Sequence, residues 1–337
     1  MKMDFIYGMT QGFLAPPGYY YTEEAVKSVE RMKAHGVNLV ALVVNQFLEN
    51  FHSTRIFALS NRTQGDEELG LHIARLHEAG IRVMLKPMID PLDSVWRGNI
   101  HQYRGCKIFA DIESDTVTPW FDSYRHFLNH YAELAEKNGC ELFCSGCELD
   151  GMEGHTDEWH ETIRQVRERY HGTVIYNSTM DLKIRDNRKW MEDVDIVGFS
   201  GYFHVGPADR TSSLEEMRQG WLPWMEKLKA YAEWIGKPLM FAETGTRPLV
   251  GAAGITGGFN TTSPIYSEEE QADYYTATLD VLDKEDWFCG SIWWKLDEFQ
   301  YRPNYYLADG HYVGCEPTET LRQTMILRSA RKLIREI

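Results

Sequence analysis

No stretch of this 337-residue chain approaches the roughly 18 consecutive apolar residues that a membrane-spanning helix needs. Positive charge is also short. With 35 Lys and Arg against 50 Asp and Glu, the formal net charge is −15. A chain so acidic lacks the field that draws nucleic acid or an anionic membrane, so neither is expected as a partner, and a polyanionic substrate is disfavoured. Metal-binding histidine patterns are missing too: there is no HExxH or HxH, and His72/His77 and His155/His160 are spaced five apart, which is poor for one helical face. No strand–GxGxxG–helix unit appears, which sets a Rossmann sheet aside. No metal and no cofactor are therefore expected. The opening residues Met1 to Gly8 lack the apolar core and small-residue cleavage site of an export signal. The six cysteines (Cys106, Cys140, Cys144, Cys147, Cys289, Cys315) are scattered. Reduced thiols in a cytoplasm are the expectation from both features.

What is present is an ordinary globular composition, 43% hydrophobic and 25% charged, enough for a full core without disulfides. Apolar runs of strand length alternate with helical stretches from end to end. Strands are expected at Asp4–Tyr7, Val37–Val44, Ile81–Leu85, from Glu141 to Glu148, Thr173–Tyr176, Asp195–Phe199, in the segment ending at Glu243, and at Gly290–Lys295. Thr22, Thr118 and Thr156 read as helix caps, Ser213-Leu214-Glu215-Glu216 and Ser267-Glu268-Glu269-Glu270 as capping boxes, and 317–337 as a last helix. Residues 88–117 read as a long irregular loop containing Trp96 and Tyr103, and Gly251–Gly258 as a mobile substrate loop. Eight strands with helical connections predict an α/β fold, one (β/α)8 TIM barrel over residues 1–337.

Two segments share one design. Glu148 follows the apolar strand Leu142-Phe143-Cys144-Ser145-Gly146-Cys147, and Glu243 follows Leu239-Met240-Phe241-Ala242. Strand ends of such a barrel converge on one face, where the fold keeps its active sites. Two carboxylates across a cleft are the minimum equipment for glycoside hydrolysis. A salt bridge or helix-cap role is the bland alternative for either Glu alone; for the pair, catalysis is the better reading.

The order, one Glu after strand four and one after strand seven, resembles the retaining glycosidases of glycoside hydrolase clan A. Within that clan the chain resembles glycoside hydrolase family 113, the β-1,4-mannanases, through Gly8-Met9-Thr10, Gly146-Cys147-Glu148-Leu149, Phe241-Ala242-Glu243-Thr244-Gly245 and Ser291-Ile292-Trp293-Trp294-Lys295. The resemblance implies that Glu148 is the acid/base and Glu243 the nucleophile. It also implies a β-1,4-linked mannan or manno-oligosaccharide as substrate. Many clan members have Asn directly before the acid/base, on the sugar 2-hydroxyl; Cys147 stands there instead. Other β-linked oligosaccharides (xylo-, gluco- or mixed) and a non-catalytic sugar-binding barrel remain as alternatives.

Trp294 offers a flat face for a pyranose ring, while Trp293 points the other way because side chains alternate along a strand. Tyr202, past strand six, is placed to hydrogen-bond Glu243. Asn45, Lys86 and Asn177 are expected to end their strands on the same face, as substrate-binding residues. Cys140-x3-Cys144-x2-Cys147 matches the spacing of an iron–sulfur motif, but these cysteines run along a strand, too extended to meet at one cluster, and read as core packing. An oligosaccharide is the expected partner; the oligomeric state is left open. The chemistry requires Glu243 ionised and Glu148 protonated, hence a bell-shaped pH profile.

Overall fold

The computed structural model describes residues 2–109, 112–257, 263–298 and 305–337, leaving aside the side chains at 106–109 and 112–113. Eight parallel strands close on themselves: β1 (Ile6–Gln11), β2 (Leu39–Leu48), β3 (Arg82–Pro91), β4 (Leu142–Cys147), β5 (Thr173–Ser178), β6 (Ile196–Ser200), β7 (Leu239–Thr244) and β8 (Phe288–Trp293). Each pairs with its sequence neighbours, and β8 returns to β1. The helices are α1 (Glu23–Ala34), α2 (Asp66–Glu78), α3 (Val117–Lys137), α4 (Thr156–Arg167), α5 (Leu214–Ile235), α6 (Glu268–Leu282) and α7 (Glu319–Ser329). A 3-10 helix, Asp186–Asp193, fills the remaining place between β5 and β6.

The strands are apolar on both faces because both faces are covered. In β2, Leu39 and Ala41 join Ile6, Met84, Leu142, Ile175, Met240 and Ile292 in the barrel interior, while Val40, Leu42 and Val44 pack outward against the helices. Gly290 has φ +131°, and a Cβ there would meet the backbone of Ile6. Only glycine lets β8 approach β1 so closely.

Several expected boundaries move. Lys2–Asp4 is a separate strand pairing antiparallel with Ile334–Glu336, so the last segment is not one helix to the end. Arg335 Nε donates to the Phe288 carbonyl at 2.8 Å, tying this ribbon under the barrel. Strands β2 and β3 run on to Leu48 and Pro91, which places Asn45 and Lys86 within strands rather than at their ends. The stretch 88–117 is not irregular: it continues β3, turns through a 3-10 helix (Arg97–Asn99) and carries the hairpin Arg104–Phe109/Ile112–Asp115. Asp115, not Thr118, accepts the free N–H groups of Val117 and Thr118 at the start of α3. Thr156 lies inside α4, where its hydroxyl donates to the Asn187 carbonyl. Ser213 and Glu216 do form a reciprocal box. At α6 only Ser267 caps; the Glu270 carboxylate turns away to the N–H groups of Ala253 and Ser212.

Candidate active site

Strand alternation alone aims Glu243 the wrong way. Met240 and Ala242 face the barrel interior and Phe241 faces the helices, so strict period two sends residue 243 outward. The pairing of β7 with β6 slips between Phe241 and Glu243, and this bulge re-aims the carboxylate into the barrel mouth. Strand β4 has a matching irregularity between Cys144 and Cys147 against β5. Glu148 then adopts a left-handed backbone, φ +54°, with its N–H on the Asn177 carbonyl at 2.7 Å. Both carboxyl groups reach one cleft of about 430 Å³, whose walls include Phe13, Trp96, Arg97, Tyr202, Arg247 and Trp294.

Glu243 is buried and gripped at both oxygens. Its Oε1 accepts from the Lys86 ammonium, which is fully buried, and from the Cys147 thiol at 3.5 Å. Among the described residues its Oε2 accepts only from the Tyr202 hydroxyl, at 3.2 Å. Burial disfavours the Lys86 ammonium, and the charge and hydrogen bond of Glu243 oppose that penalty. Burial, reinforced by Glu243, pushes the Tyr202 phenol well up, so it remains a neutral donor. Burial likewise raises the Cys147 thiol far above the usual cysteine value, leaving a neutral S–H.

Glu148 is held differently. Its Oε2 accepts from the Trp96 indole N–H and from Arg97 Nη1, both at 3.2 Å. The stronger share of Arg97 goes to Asp90 Oδ1, reached by Nη2 at 2.7 Å and Nε at 3.0 Å. Asn45 Nδ2 steadies Asp90 from behind at 2.7 Å. The segment bearing Trp96 and Arg97 is locked to the loop after Glu148, since the Gly151 N–H donates to the Gly98 carbonyl at 3.0 Å. A Cβ on Gly151 would collide with the Ile100 carbonyl, so the contact requires glycine.

Of the residues expected around the sugar, Trp294 and Tyr202 line the cleft beside the two glutamates. Trp294 packs against Phe13 at 5.0 Å between centroids and is joined to Lys295 by a cis peptide; Trp293 turns away to the helices, its indole on the Cys315 carbonyl. Lys86, Asn177 and Asn45 do not line the cleft. Lys86 and Asn177 lie beneath Glu243, bonded to each other at 2.8 Å, and Asn45 sits behind Asp90. Asn177 Nδ2 is also spent, on Ser200 Oγ and the Ser178 carbonyl. Their inward parity put them in the barrel, but the extra strand length keeps them one layer below the mouth. Arg97, Asp90, Phe13, Thr246 and Arg247 were missed. Arg97 lies just past Trp96 in a stretch without strand periodicity, and only the fold brings it to Glu148.

Among the described residues no group of three or more metal-ligating side chains converges, and Cys140, Cys144, Cys147 and Cys289 are free thiols. The side chain of Cys106 and residue Gly258 lie outside the described residues. The described part of the glycine-rich loop is tied down: Thr256 Oγ1 donates to the Tyr202 carbonyl at 2.7 Å, and Val205 N–H to that of Ala253 at 2.9 Å. No described helix is long and apolar enough to cross a membrane.

The sequence profile of Glycoside Hydrolase Family 113 matches residues 9–316. No curated protein matches the chain. Among solved structures, a β-1,4-mannanase of that family is 25% identical, with a TM-score of 0.81 over 98% of this chain and 100% of its own. The family's β-mannanase AaManA from Alicyclobacillus acidocaldarius, in complex with ManMIm, is 28% identical, with a TM-score of 0.81 over 97% and 98% of the two chains. An endo-β-1,4-mannanase from Thermotoga petrophila is 14% identical, with a TM-score of 0.58 over 97% of this chain and 76% of its own, and shares the fold.

Proposed function

Because its match runs through nearly the whole sequence, the chain belongs to Glycoside Hydrolase Family 113, and from that premise we propose that it cleaves β-1,4-linked manno-oligosaccharides with retention, Glu243 attacking and Glu148 serving as acid/base. The observation that carries the reading is the unequal treatment of two carboxyl groups in one cleft. Glu243 is paired with a buried ammonium and receives three donors, which suits an ionised nucleophile. Glu148 stands at the cleft wall beside the side chains of Trp96 and Arg97, where it can give a proton to a leaving oxygen and later take one from water. Trp294 and Phe13 supply the apolar face against which a pyranose ring packs.

Mannose as the sugar is supported by two matched structures of this family, both β-mannanases. An oligosaccharide rather than intact polymer is proposed on the expectation of a cytoplasmic enzyme, which the free thiols fit. The test is chemical. Glu243→Ala is expected to lose turnover of mannohexaose, and azide to restore release from an activated aryl β-mannoside, giving a glycosyl azide of inverted configuration. Normal turnover in that variant removes Glu243 from the role. Cleavage of xylohexaose or cellohexaose with the mannan ladder untouched would replace mannose.

A further inference from the structure

Lys86 lies beneath the carboxylate that reacts, out of reach of any sugar in the cleft. Its ammonium is wholly buried and meets three acceptors: Glu243 Oε1, Asn177 Oδ1 at 2.8 Å and the Ala242 carbonyl at 3.4 Å. Only the first carries charge. Cys147, in contact with the same Oε1, is a neutral thiol and adds no counter-charge. With Oε1 taken by two donors and Oε2, among the described residues, by Tyr202 alone, Oε2 is the oxygen with a lone pair left for attack.

We propose that Lys86 is a positioning residue that acts chiefly on the second half of the reaction, drawing the Glu243 carboxylate out of the glycosyl ester; this rests on Glu243 being the nucleophile. In the first half, Oε2 bonds to C1, the C1–O bond to the leaving group breaks with its electron pair, and the Glu148 proton goes to that oxygen. Glu243 is then a neutral ester, and Lys86 is a buried cation facing only neutral acceptors. Glu148, now ionised, has Arg97 beside it and does not touch Lys86. A buried charge stripped of its partner is costly. In the second half, water bonds to C1 and gives its proton to Glu148, and the C1–Oε2 pair returns to Glu243. Lys86 regains its partner in that step, so its charge stabilises the developing carboxylate. The same charge restrains attack in the first half. Lys86 therefore tilts the pair of steps against accumulation of the intermediate.

The test uses 2,4-dinitrophenyl β-mannoside, whose leaving group needs no proton, with rapid mixing on the pH plateau. Release of dinitrophenolate by the wild-type protein, absent in Glu243→Ala, establishes the underlying reading independently. In Lys86→Met, and in Lys86→Gln should the first not fold, steady-state turnover is expected to fall on the order of 100-fold, while the burst rate constant holds or rises. Intact-protein mass spectrometry should then find the glycosyl-enzyme during turnover. Lys86→Arg, which keeps the charge, is expected to keep the wild-type ratio of the two steps. Equal loss in both steps of the neutral variants, or a ratio in Lys86→Arg matching theirs, overturns the proposal.

Discussion

The ends of β4 and β7 carry the same residue type and face the same cleft, yet they hold it by opposite means. Glu243 is fixed by the barrel wall: Lys86 comes from β3, Cys147 from β4 and Tyr202 from just beyond β6. Glu148 has left the strand in a left-handed turn and meets a loop, with Trp96 48% exposed. A nucleophile has to keep one angle to C1 through both steps. An acid/base has to shift between a leaving oxygen and a water. Rigid support for the first and loop support for the second match those tasks.

The sharpest way to break this comparison is to change Glu148, the proposed acid. Glu148→Gln is expected to lower hydrolysis of manno-oligosaccharides by on the order of 10³-fold or more. Release from a dinitrophenyl glycoside should stay fast while hydrolysis of the intermediate slows, and that release step should lose its alkaline limb. An alkaline limb that persists unchanged in the variant would show that another group is the acid. Next in size is Tyr202→Phe, which removes the one donor that the described residues give Oε2. A fall of about 10- to 100-fold in kcat/KM is expected, with the fold intact by circular dichroism.

Arg97 tests the loop-held side. Arg97→Met strips Asp90 of two hydrogen bonds and Glu148 of one, and Asp90 keeps some access to water. A loss of about 2 kcal/mol in thermal unfolding is expected, with a drop in kcat/KM smaller than that of Glu148→Gln. A Tm equal to wild type would mean the Asp90–Arg97 clamp does not support the loop. Smallest is Trp96→Phe, which removes only the indole N–H from Glu148 and should cost less than about tenfold. A larger loss would make Trp96 a main support of the acid.

Much of the site was legible because its key positions obey local rules. The apolar runs, their spacing and the carboxylates that follow them are properties of short segments. So is the inward parity of Lys86, Asn177 and Trp294. The roles given to Lys86, Asn177 and Asn45 were not legible. β3 runs through Lys86 to Pro91 instead of stopping there, so the lysine ends up under Glu243 and out of the cleft lining. Arg97 was missed for a related reason. Its partners are Asp90, seven residues back, and Glu148, 51 residues ahead, and no periodicity marks it.

The sequence by itself determined the number and order of the strands, the burial of both their faces and the placing of one Glu after the fourth and one after the seventh. Those follow from hydrophobic period and chain order, which no partner can alter. Only the tertiary structure decided which way each Glu points. A period-two strand sends Glu243 outward, and it turns inward because β7 slips against β6 at a bulge. A bulge belongs to the pairing of two strands and not to either one. The same holds for the ion pair of Lys86 with Glu243, between residues 157 apart in the chain. Such a contact exists only once barrel closure has carried β3 and β7 to a common axis.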